Sequence, residues 1–457
     1  MCDLDRAVPR RAKSGACLGC GVALLDAKRP GGNRAFLLDR RDACPSSLDS
    51  GCRSPMAGVD HAETETNMTE FYGRPGAGAG PKTDFFIDPS TGECAGPSPI
   101  ERSSAGRARR YALLGAIRRI DPTHRTARCA WSRVSANGQI NVVRDGATGK
   151  ARYSGLQVCA RIWTCPVCAA KISERRAVEL AQAIGVSRSM NIRVMLLTAT
   201  VPHLIGDSLQ VLIQRLGVAW RYFSSDRRSK ALRSDIDLVG TIRNIEVTHG
   251  VNGWHPHFHC LVFFRADVAP ESIAAAWSEH WQHCAVKAGL RRPGDEHGLT
   301  LQAGDYAARY VSKWGLEHEM TKSMAKQARK GGRTPLDIAQ DFGDGLDQAR
   351  NAGLWREFAE AMHGQRQLHW SRGLKALLEV GEADDAELVA EEDARPAELV
   401  VQLTWPEWRA IRAHHRAVLL DLAEQAPHLV RDWLDDRVSA AAAAAVAASA
   451  GAVGVAL

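Results

Sequence analysis

The chain has 457 residues, 45% of them apolar and 24% charged, with a formal net charge of +7. These totals match a globular protein of two or three domains, and the modest positive balance permits nucleic-acid binding without locating it. Twelve cysteines and no apolar leader after Met1 speak against a secreted disulfide scaffold and for metal-bound or free thiols in the cytoplasm.

Residues 1–100 read as a disordered extension. They are rich in Gly, Pro, Ser and Arg and hold no lasting apolar period. Cys17, Cys20, Cys44 and Cys52 are too irregularly spaced to define a metal site. Residues 101–190 read as a basic arm followed by a cysteine element. Between positions 102 and 128, eight arginines, among them Arg107, Arg109 and Arg110, face only Glu101 and Asp121. Such a run is either a solvated helix face or a phosphate-contacting arm. Cys159, Cys165 and Cys168 follow, with Pro166 between the last two, and Cys129 is the candidate fourth thiolate. A CPxC knuckle turns two thiolates onto one ion, and four thiolates close a tetrahedral Zn²⁺ site.

Residues 191–378 read as the catalytic region. Arg193–Val201 and Val239–Thr248 alternate as strands, with a helix at about 207–224 and Asp207 as its possible cap. Asn252-Gly253 marks a hairpin turn. The strand after it begins Trp254-His255-Pro256-His257-Phe258-His259 and runs into Cys260-Leu261-Val262-Phe263-Phe264. With period two, His257, His259, Leu261 and Phe263 share one face, and two imidazoles so placed can grip one divalent ion. Antiparallel pairing across the turn puts Glu246 on that same open face. A helix at 270–288 and a strand at 298–302 follow. Strands with one polar face imply an α+β fold, an antiparallel sheet with helices on one face.

Further on, Tyr306, Tyr310 and Lys313 fall at helical spacing, so they stack along one side of a helix. Lys322, Lys326, Arg329 and Lys330 add a basic stretch that suits DNA. Residues 346–378 read as helical, with Trp355, Phe358 and Met362 as a core stripe. Residues 379–400, with nine acidic side chains against Arg395, read as an acidic linker. Thr404-Trp405-Pro406-Glu407 has the form of a capping box opening a C-terminal helix, and an Ala-rich tail completes residues 401–457. That tail carries too little transfer energy for a membrane span, so no membrane partner is expected.

Three motifs in order carry a resemblance: Leu196-Leu197-Thr198-Ala199-Thr200, His255-Pro256-His257-Phe258-His259, and Tyr310-Val311-Ser312-Lys313. Together with the knuckle Trp163–Cys168 and the segment 364–374, they resemble plasmid rolling-circle replication initiators of the HUH endonuclease superfamily. The resemblance covers about 125–378. It implies a ferredoxin-like sheet and a metal held by His257 and His259. Tyr310 would be the nucleophile that leaves a 5′-phosphotyrosine link, and Lys313 would lie near the scissile phosphate. Glu246 is the favoured third ligand and His255 its competitor. Mg²⁺ or Mn²⁺ would be the working ion, and imidazole favours Mn²⁺.

The implied partners are double- and single-stranded plasmid origin DNA, with a host helicase and polymerase. No GxxxxGK[ST] loop supplies an ATP motor within the chain. Many plasmid initiators carry a glutamate where Tyr306 stands; the departure resembles the paired tyrosines of single-stranded-phage initiators and makes Tyr306 a candidate second nucleophile. The competing readings are a tyrosine transposase of the same superfamily and a zinc-dependent DNA-binding repressor without catalysis.

Overall fold

The structure, a computed structural model, describes residues 99–303 and 332–453 together with two short paired strands, β1 (Phe86–Ile87) and β2 (Cys94–Ala95). Tyr306, Tyr310, Lys313, Lys322, Lys326, Arg329 and Lys330 lie outside the described residues.

Helix α1 (Pro99–Ile120) carries Leu113, Ile117 and Ile120 into the main core, at the spacing that keeps them on one helix face. Its neighbour Leu114 turns the other way, onto the cysteine element. Strands β3 (Ile140–Asp145) and β4 (Ala151–Ser154) form an antiparallel pair. Helix α2 (Pro166–Ser189) then starts with Pro166 in its first turn, where the missing N–H costs nothing, and with Cys165 as its N-cap.

The large sheet is built from β5 (Arg193–Ala199), β6 (Leu238–Gly250), β7 (Gly253–Phe264), β8 (Leu299–Gln302) and β9 (Leu368–Trp370). Its order is β8-β5-β7-β6-β9, every neighbour antiparallel. Helices α3 (Leu209–Ser225) and α4 (Arg227–Asp235) join β5 to β6, and α5 (Pro270–Lys287) precedes β8. Ser208, not Asp207, is the N-cap residue of α3. Asp207 instead accepts from the Leu204 N–H and pairs with Arg291.

The β6–β7 hairpin turns at Val251-Asn252, and Gly253 adopts φ of +89°. A Cβ there would lie 2.9 Å from the Leu204 carbonyl oxygen, so only glycine fits. Pro256 is tolerated inside β7 because β5 pairs only as far as Phe258, leaving Pro256 with β6 as its one neighbour.

The strand alternation decides the layers. Leu197, Ala199, Ile245, Val247, Phe258, Cys260 and Val262 face one way, onto α1, α3, α5 and two later helices, α6 (Pro335–Gly343) and α7 (Gln348–Ala361). Burying side chains such as Phe258 or Trp355 contributes roughly 1.5–3 kcal/mol each. The opposite face changes character along its length. At one end Leu196, Ile242, Leu261 and Phe263 are covered by Leu180, Ala183 and Ile184 of α2 and by Leu374 of α8 (Leu374–Leu377). At the other end Thr198, Glu246, His257 and His259 stay only partly buried. The fold is α+β with antiparallel sheets, and α2 adds partial cover to the second face.

Two expectations change beyond residue 362. The segment expected to continue as helix contains β9, an edge strand whose Leu368, His369 and Trp370 pair with Asn244, Arg243 and Ile242. The stretch 379–400, expected as an acidic linker, is folded as α9 (Asp385–Asp393) and the start of β10 (Ala397–Leu403). Its carboxylates meet the basic side of α2: Asp393 lies 2.7 Å from Lys171, Asp385 3.2 Å from Arg176, and Glu391 pairs with Arg175. Strand β10 then pairs with β3, and a capping box at Thr404 and Glu407 opens α10 (Trp405–Ile411). Helices α11 (Arg416–Gln425) and α12 (Val430–Val453) complete a separate core around Trp408, Leu419 and Leu434. Among the described residues, no helix is long and apolar enough to cross a membrane.

Candidate functional site

The β6–β7 register pairs Glu246 directly with His257 and Asn244 with His259. Three ligand atoms converge as a result. His257 Nε2 and His259 Nε2 are 3.1 Å apart, and Glu246 Oε2 lies 3.4 Å from the first and 3.0 Å from the second. An octahedral ion with bonds of about 2.1 Å separates adjacent ligand atoms by about 3.0 Å. The three therefore fit one face of such an ion, leaving the outward positions for water or substrate. Two imidazoles and one carboxylate suit Mn²⁺ better than Mg²⁺, which prefers an all-oxygen set.

The rings are oriented from behind. The carbonyl oxygen of His255 lies 3.4 Å from His257 Nδ1, where it can accept from the ring and hold its orientation. Thr198 Oγ1, 3.0 Å from His259 Nδ1, is placed to accept in the same way. Burial would raise the Glu246 carboxyl, yet hydrogen bonds from His257 and His259 hold it well below its ordinary value. His255 takes no part in the convergence. Its Nδ1 lies 3.2 Å from His203 Nδ1, and burial, with His257 and His203 added, lowers its pKa to about 4.

The second cluster joins Cys129, Cys159, Cys165 and Cys168, all buried. The Cys129 sulfur lies 3.6 Å from those of Cys165 and Cys168, and the Cys159–Cys168 distance is 3.7 Å. A tetrahedral zinc with bonds of about 2.3 Å requires sulfurs about 3.8 Å apart, so this buried group can hold a metal such as zinc. The Cys168 N–H donates to the Cys165 sulfur at 3.4 Å, the knuckle turn that the CPxC spacing implies. Hydrogen bonds from Cys129, Cys165 and Cys168 draw the Cys159 thiol below its ordinary value, while burial pushes the Cys165 thiol up.

The basic arm is differently engaged. Arg107 is 8% exposed and held by Asp421 and Glu424 of α11, which removes it from any DNA surface. That expectation is corrected: the arginine balances charge that returns from the far end of the chain. Arg109 lies 3.3 Å from Asp337, and Arg110 stands beside it on α1.

Sequence reasoning did not assign the Thr198 and His203 contacts, although Thr198 had the right strand parity. It also missed Asp226, His280 and Cys284, a third group of potential ligands. Only the four-residue spacing of His280 and Cys284 on α5 hints at it. There Ser229 Oγ lies 2.9 Å from His280 Nε2, and Asp226 caps α4, so the polar atoms answer one another.

Two Streptomyces proteins are similar to this chain. A Streptomyces lividans protein named "Protein rep" is 28% identical over 345 residues, covering 59% of this chain and 75% of the other. A Streptomyces cyanogenus protein named "Neomycin resistance protein" is 33% identical over 144 residues, covering 25% of this chain and 32% of the other. No solved structure gives a significant match. The Rep_1 family model, described as replication protein, matches residues 151–416, more than half of the chain and a span that includes both histidine and knuckle motifs. The chain belongs to this replication protein family.

Proposed function

We propose that the protein nicks the origin of a plasmid and starts rolling-circle replication through a tyrosine nucleophile, as in the HUH superfamily. The observation that carries the reading is the convergence of Glu246, His257 and His259 on the open sheet face. Membership of a replication protein family supports the substrate, plasmid origin DNA, in single- and double-stranded form.

Glu246, His257 and His259 would hold a divalent ion, Mn²⁺ or Mg²⁺, which when bound would supply Lewis-acid polarisation of a phosphate oxygen and offset charge in the transition state. Glu246 and the two imidazoles hold that position, and Thr198 and the His255 carbonyl keep the rings aimed. Tyr310 attacks phosphorus through its hydroxyl oxygen and releases its proton to solvent. The new O–P bond replaces the bond to the 3′ oxygen, which leaves, takes a proton and becomes a primer end. Lys313 stabilises the phosphate charge, and Tyr306 serves the later, terminating transfer. The cysteine cluster is a structural Zn²⁺ site apart from the chemistry. Lys322, Lys326, Arg329 and Lys330 contribute phosphate contacts, while a host helicase and polymerase extend the released strand.

The test is purified protein with Mn²⁺ and supercoiled plasmid carrying the cognate origin. An open circle with protein bound at the 5′ end is expected, and Tyr310→Phe should abolish it. Supercoiled substrate left closed by the wild-type protein overturns the reading in favour of a non-catalytic DNA-binding role.

A further inference from the structure

Two cavities share Trp163 and Gln367 in their linings. The smaller, of about 110 Å³, is lined by Glu246 and Asn244 and walled by Trp163 and Gln367. The larger, of about 870 Å³, shares Trp163 and Gln367 and carries Arg125, Arg161 and Arg366. Arg161 and Arg366 are close sequence neighbours of the two shared residues, so the cationic part adjoins the passage toward Glu246. Trp163 is fixed there, because its Nε1–H donates to the Gln365 carbonyl at 2.7 Å and ties the knuckle to the segment before β9. Gln367 Oε1 is buried and has no hydrogen-bond partner among the described residues.

Most carboxylates of the larger cavity already have partners: Lys375 pairs with Glu382, and Arg176 with Asp385 and with Glu179 outside the lining. Asp384 and Glu387 are occupied in capping α9. Arg125, Arg161 and Arg366 have no ion pair among the described residues. With Glu382 and Asp385 paired to Lys375 and Arg176, the guanidiniums of Arg125, Arg161 and Arg366 are the cations of this lining left to meet phosphates. A duplex keeps its base faces stacked inside, whereas a single strand can offer a base to an indole wall.

We propose that this cleft is the track for a single DNA strand. Arg125, Arg161 and Arg366 take its phosphates, Trp163 takes the face of a base, and Gln367 guides the strand toward the phosphate position at Glu246, His257 and His259. The inference rests on the nicking reading above and extends it to the path of the substrate.

The test is fluorescence anisotropy with a labelled oligothymidylate of about 20 nucleotides, in a salt series, against a duplex of the same length. Arg161→Gln/Arg366→Gln should bind the single strand at least about tenfold more weakly. Its slope of log affinity against log salt should be shallower by about 1.4, since each phosphate contact on a single strand contributes about 0.7. Arg227→Gln/Lys230→Gln, at exposed positions of α4, should change neither quantity. Circular dichroism and zinc content equal to wild type establish that the variants fold. Single-strand affinity and slope unchanged in the cleft variant overturn the proposal, as does an equal loss of duplex and single-strand binding. The nicking assay separates the two readings. If wild type fails to nick but single-strand binding depends on the arginine pair, the cleft stands and the nicking reading falls. If wild type nicks and the pair is without effect, the cleft falls alone.

Discussion

Glu246 and His257 face each other as directly paired residues of β6 and β7, yet the Glu246 carboxylate lies closer to the diagonal His259, at 3.0 Å against 3.4 Å. Cross-strand and diagonal neighbours are both within reach of a long side chain on a twisted sheet. One glutamate can therefore close a site that two histidines on the next strand begin, and it does so without distorting either strand.

Glu246→Gln keeps the shape and removes the charge. Calorimetric titration with Mn²⁺ should show affinity falling by about 100-fold or more, since even residues behind a ligand are worth 10–100-fold. Thr198→Val removes the acceptor from His259 Nδ1 and should fall inside that smaller range. Equal Mn²⁺ affinity in wild type and Glu246→Gln would exclude the carboxylate as a ligand.

Elemental analysis of wild type should give one zinc equivalent after mild chelation, and Cys165→Ser/Cys168→Ser should lose it and melt at lower temperature. The distances of 3.6 and 3.7 Å between sulfurs predict one ion for the four thiols. Unchanged zinc in the double variant refutes the site.

The acid limb of stability should carry a share from His369. Burial, with Arg243 and Arg366 added, lowers its pKa from 6.5 to about 4. Between those values the unfolded chain takes up the proton and the folded one does not, so stability falls as pH drops from 6.5 to 4. His369→Gln should flatten the stability profile across that window, by about 1–2 kcal/mol at its acid end once the shift is discounted for the ring's partial exposure to solvent. Parallel wild-type and variant curves would show that His369 titrates normally.

Arg107→Ala leaves Asp421 and Glu424 facing each other in a half-buried setting. A loss of roughly 3–5 kcal/mol in chemical denaturation is expected, as for other broken buried pairs. At equal folded fraction, binding to origin DNA should be unchanged. Weaker DNA binding with full stability would return Arg107 to the DNA surface.

Local patterns were legible from the chain itself because their geometry spans a few residues. Alternation placed His257 and His259 on one strand face, Asn252-Gly253 marked the hairpin, and the parity across that turn brought in Glu246. The CPxC knuckle and the Thr404 capping box were readable for the same reason. What the tertiary structure alone decided involves partners distant in sequence. Cys129 joins three thiols 30 to 39 positions away, and no periodicity encodes that approach. The acidic run 379–400 has the composition of a solvated linker, and only the basic face of α2 opposite it makes it folded. The arginines of α1 look alike in sequence, but the carboxylates of α11 bury Arg107. A charge run reads the same whether it meets water, phosphate or another charge run, so its role is set by what the fold brings against it.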